Sequence, residues 1–111
     1  MDIFDVILPN CPPRSYSVSI FNKNVLQMRV ASIKKYLDKY TRAMDLFYLK
    51  FLMRIMKFTC EDLQLDLSDI SASETQIIIN DLLELAAMIV YCSDKSELRM
   101  ADKIIKRLML I

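Results

Sequence analysis

The sequence predicts a mainly α-helical fold: a three-helix bundle with one long first helix, preceded by a short strand-like or extended N-terminal arm. Three observations predict it. The 111 residues include no glycine, and the prolines, Pro9, Pro12 and Pro13, all fall in the first thirteen positions. Beyond them no residue breaks a helix. Apolar residues recur at spacings of three and four over long stretches, the period of one helix face. Ser, Asn and Asp stand where those stretches begin, as N-caps do.

The arm takes in residues 1–22, and the helical bundle domain residues 23–111. Pro9-Asn10-Cys11-Pro12-Pro13 disfavours helix and reads as a turn or extended segment. Tyr16, Val18 and Ile20 then alternate with serines up to Phe21. That period of two fits a short strand, or an arm laid into a groove.

Asn24, with Gln27 three residues on, reads as a capping box. Leu26, Val30, Ile33, Leu37, Tyr40, Met44, Phe47 and Phe51 then follow a heptad seam, and Ile55 and Phe58 continue it after a stutter. One helix over about residues 25–58 would be roughly 50 Å long. A break near Lys39-Tyr40-Thr41, with Thr41 as a new cap, is the alternative.

Residues 59–71 read as an acidic connector with one helical turn. Ser71 with Glu74, or Ser73 with Gln76, opens a helix over about residues 74–92. Its seam is Ile78, Leu82, Leu85, Ile89 and Cys92, and a second stripe of Ile79, Leu83, Ala86 and Val90 marks it as central. Ser93 or Asp94 caps the last helix, over about residues 95–110. Leu98, Ala101, Ile104, Ile105, Leu108 and Ile111 form its apolar face.

Composition narrows the function more by exclusion than by signature. Without glycine there is no phosphate loop, nucleophile elbow or dinucleotide fingerprint. Without histidine, the serines and cysteines lack the usual general base, and the commonest metal ligand is missing. No catalytic, cofactor or metal site is expected. Cys11, Cys60 and Cys92 form no CxxC pair and no even disulfide set. They read as free thiols of an intracellular protein, in cytoplasm or nucleus. The acidic N-terminus lacks a signal-peptide n-region. The longest apolar runs, Leu46 to Leu49 and Leu85 to Cys92, are too short to cross a bilayer.

Two features point outward. Charge is segregated: residues 22–58 carry a net +7 and residues 59–97 a net −8, within an overall +1. Lys35, Lys39, Arg42, Lys50, Arg54 and Lys57 fall near one stripe. They form either a basic ridge for phosphate or an acidic partner, or a solvated face balanced by the acidic segment. Hydrophobic residues make up 54% of the chain, above the average of about 45–50%. The excess lies in Ala43 to Phe58, more apolar surface than one small bundle covers. Leu46, Tyr48, Leu49, Leu52, Met53 and Met56, with Tyr16, Val18, Ile20 and Phe21 of the arm, are therefore the candidate partner-binding residues. The expectation is a non-catalytic interaction module, an assembly subunit or adaptor covered by another protein chain in a homo- or hetero-oligomer. The alternatives are a nucleic-acid-associated protein using the basic ridge, and a helix-in-groove signalling regulator.

Overall fold

Asn22, not Asn24, opens the first long helix. Its backbone is extended, and its Oδ1 accepts a hydrogen bond from the Val25 amide at 3.0 Å. The computed structural model describes residues 3–11, 21–65, 67–91 and 97–111. The alternating Tyr16, Val18 and Ile20, and the caps at Ser93 or Asp94, lie outside the described residues.

The fold is all-α, but it is not a three-helix bundle. Its elements are α1 (Ile3–Ile7), α2 (Lys23–Ala43), α3 (Leu46–Leu63), α4 (Ala72–Tyr91), a 3₁₀ turn (Glu97–Met100) and α5 (Ala101–Met109). No strand occurs among the described residues.

The single long helix is two. Leu26, Val30, Ile33, Leu37 and Tyr40 are buried, as the seam requires. After Tyr40 the seam loses its meaning. Met44 turns left-handed (φ 51°, ψ 34°), with its amide donating to the Tyr40 carbonyl at 2.6 Å. Asp45 returns to extended backbone, and its carboxylate accepts from the Phe47 amide at 2.9 Å. A C-terminal αL residue followed by an Asp N-cap is a complete helix stop and restart. The break therefore falls at Met44-Asp45 rather than at Thr41. It folds α3 back along α2, so that Arg29 meets Thr59 and Asp62 while Tyr36 meets Phe51. A continuous helix of roughly 50 Å would exceed the longest dimension of the molecule, 39 Å.

Residues 59–71 are less of a connector than their acidity suggests. Helix α3 runs on to Leu63, and Thr59 and Asp62 are buried in its last turns. Ser71 caps α4: its hydroxyl accepts from the Glu74 amide at 3.2 Å and donates to the Glu74 carboxylate at 3.2 Å.

Helix α2 packs on α3 and α5, α3 on α4, and α4 on α5, which closes a ring of four helices. Ile78, Leu82, Leu85 and Ile89 of α4 are buried, as is the α5 face of Ala101, Ile104, Ile105 and Leu108. The N-terminal residues are not an extended arm throughout. Ile3–Ile7 is helical and lies against α3 and α4, with Phe4 and Leu8 buried. Ile3, Phe4, Ile7 and Leu8 share one face at helical spacing. Pro9 and the left-handed Asn10 (φ 58°) end the turn.

Candidate interaction surface

The candidate partner-binding residues divide sharply by burial. Leu49, Leu52, Met53 and Met56 are core, as is Phe21, and they present no face to a partner in this fold. They point inward because the restart at Asp45 sets a new helical phase, which turns positions 49, 52, 53, 56, 60 and 63 toward α2 and α4. Tyr48 is half-buried, and Leu46 is exposed.

The same phase change turns the old seam outward. Of that seam Met44 is 42% exposed, Phe47 64% and Phe51 37%, and Leu46 beside it is 56% exposed. These side chains gather at the turn joining α2 to α3. Ring contacts join Phe47 and Phe51 to Tyr36 and Tyr48: Tyr36 lies 4.4 Å from Phe51, Phe47 lies 5.6 Å from Tyr48, and Phe47 lies 6.4 Å from Phe51. Tyr36 belongs to the cluster only because α3 folds back on α2. Its neighbours on α3 could be found from sequence only by reading Asp45 as a cap.

Cations border the rings. Lys39 places its ammonium 5.4 Å from the Tyr36 ring and 5.7 Å from the Tyr48 ring. Lys35 sits 5.8 Å from Tyr36. On α3, Lys50 and Arg54 are exposed beside Phe47 and Phe51, and Lys57 lies 5.3 Å from Phe58. The basic ridge thus spans two helices, with Lys35, Lys39 and Arg42 on α2 and Lys50, Arg54 and Lys57 on α3.

The acidic segment is largely engaged elsewhere. Arg29 pairs with Asp62 at 3.1 Å. Arg107 pairs with Asp81 at 3.0 Å and lies 3.5 Å from Glu84. Lys23 reaches Glu74 at 3.6 Å, and its amide donates to Asp69. Of the ridge, Lys57 pairs with Glu61 at 3.4 Å. Among the described residues, Lys35, Lys39, Lys50 and Arg54 have no carboxylate partner.

Exposed apolar residues also lie on α2 and at the end of α5, which pack together. There Met28, Met109 and Leu110 are exposed, and Met109 lines a cavity of about 330 Å³ with Gln27, Val30 and Ala31. They form no ring cluster. Among the described residues no group of His, Cys, Asp and Glu could hold a metal ion, and no helix is long and apolar enough to cross a membrane. No family model matches the chain, and neither a curated protein nor a solved structure matches it.

Proposed function

We propose that this protein is a non-catalytic protein–protein interaction module, an assembly subunit or adaptor that buries the α2–α3 turn on another chain. One observation carries the reading: Phe47 and Phe51 are exposed within a ring cluster with Tyr36 and Tyr48, and Met44 and Leu46 are exposed at the same turn, on a domain that has a core of its own. Contiguous apolar surface rimmed by polar residues marks interaction sites, whereas scattered single residues do not. Aromatic and Met side chains are enriched in interface centres, as is Arg. The odd cysteine count, with no CxxC pair, supports an intracellular setting.

The basic ridge supports nucleic-acid binding less well. Tyr36 and Phe51 are tilted 45° and Phe47 and Tyr48 stand edge-on at 73°, so the four rings do not line up as a series of parallel faces. Strand-binding platforms keep ring faces open for bases.

Light scattering and a hydrophobic fluorescent dye test the proposal. The isolated chain is expected to bind dye or self-associate, and Leu46→Ser with Phe47→Ser to abolish both. A monomer that binds no dye sinks it.

A further inference from the structure

We propose that the α2–α3 face receives an acidic amphipathic helix from a partner protein. The inference rests on reading this face as a partner surface, and it names the chemistry of what covers it. Charge complementarity carries it. Glu61, Asp62, Glu74, Asp81 and Glu84 are engaged by Lys57, Arg29, Lys23 and Arg107. Lys35, Lys39, Lys50 and Arg54 have no carboxylate among the described residues; Lys35 and Lys39 border the Tyr36 and Tyr48 rings, and Lys50 and Arg54 are exposed on α3 within one turn of Phe47 or Phe51.

An apolar strip bordered by cations is complemented by an apolar stripe bordered by acids. A helix with Leu or Phe along one face and Glu or Asp beside it presents that pattern. The size agrees. Phe47 and Phe51 share one face of α3 with Arg54 at its end, and Phe47 to Arg54 spans roughly 10 Å, about two turns of a partner helix.

Other occupants fit the same face less well. A second copy docked through the same patch would bring Lys50 and Arg54 against like charges, since a two-fold interface pairs a surface with itself. A nucleic-acid strand would find Met44 and Leu46, which offer no ring to stack on.

The test is a displayed library of helical peptides with a fixed Leu/Phe stripe and flanking positions randomised among Glu, Lys and Gln. It is selected with the full chain. Glu flanks are expected to be enriched, and affinity for the selected peptides to fall about tenfold or more on Phe47→Ser. A Lys50→Glu, Arg54→Glu chain is expected to select Lys flanks instead. Circular dichroism checks that each variant is folded. Selection of Lys flanks by the unaltered chain, or indifference to flank charge, overturns the inference. So does tighter binding to phosphatidylserine vesicles or to an oligo-dT strand at physiological salt. Indifference to flank charge loses only the acidic specificity and keeps the partner surface. Selecting no peptide and binding no hydrophobic dye loses both.

Discussion

Arg29 on α2 and Asp62 in the last turn of α3 form an ion pair at 3.1 Å, with the carboxylate only 1% exposed and the guanidinium side chain 18%. The pair is built into a network. Arg29 also donates to Thr59 Oγ1 at 3.2 Å, and Thr59 donates to the Ile55 carbonyl at 2.7 Å. Arg29 lies 5.6 Å from the Phe21 ring. It locks the open end of the α2–α3 hairpin, opposite the Met44 turn.

Removing one member of such a pair leaves the other poorly solvated. Asp62→Ala is expected to destabilise the fold by about 3 kcal/mol, the low end for a buried pair, because Arg29 keeps some access to water. Thr59→Val removes the hydroxyl from two hydrogen bonds and should cost about 1 kcal/mol. Urea midpoints measure both, and unchanged slopes would show that the loss lies in stability.

Met44 holds a left-handed backbone that a side chain with a Cβ adopts at a cost. Met44→Gly should raise stability by about 0.5–1 kcal/mol, after allowing for the greater freedom of glycine in the unfolded chain. Met44→Val should lower it, because branching at Cβ worsens the clash. A higher urea midpoint for the glycine variant is the expected result. It would also show that the turn at Met44-Asp45 exists in solution.

Phe4 ties α1 to the bundle. The helix is too short to stand alone, yet Phe4 is buried against the core formed by α3 and α4. Phe4→Ala is expected to cost about 3 kcal/mol or more, as for large core truncations. Val6, exposed on the same helix, should tolerate Ala within about 0.5 kcal/mol. Thermal melts of the two variants separate a docked helix from a dispensable tail.

The helical class and the inward faces of α2, α4 and α5 were legible because period and caps agree there. Leu26 to Tyr40, Ile78 to Ile89 and Leu98 to Leu108 are buried as spaced. The turn at Met44 was not, because the heptad runs through it unbroken: Met44, Phe47 and Phe51 satisfy the spacing while facing outward. The signal was Asp45, a good N-cap set inside an apolar run. Missing it placed the partner surface on Leu49, Leu52, Met53 and Met56, which are core. It also split Tyr36 from Phe51. The helix at Ile3–Ile7 was obscured by Pro9, which ends a helix as readily as it prevents one.

Phe47 and Leu52 make the sharpest contrast between surface and core on α3. The two stand five positions apart on that helix, and by composition alone either could face a partner. Phe47 is exposed, whereas Leu52 is fully buried. Phe47→Ser should therefore change stability by no more than about 0.5 kcal/mol, the range of surface substitutions. Leu52→Ser both opens a cavity and buries a hydroxyl, and should cost about 4 kcal/mol. That is a large share of the stability of a domain this size, about 5–15 kcal/mol. Dye binding should move the other way. Phe47→Ser should lower it in a chain that melts normally, and Leu52→Ser should raise it by loosening the core. If Phe47→Ser instead melts the protein, the ring is part of the core, and α3 is phased differently about its axis.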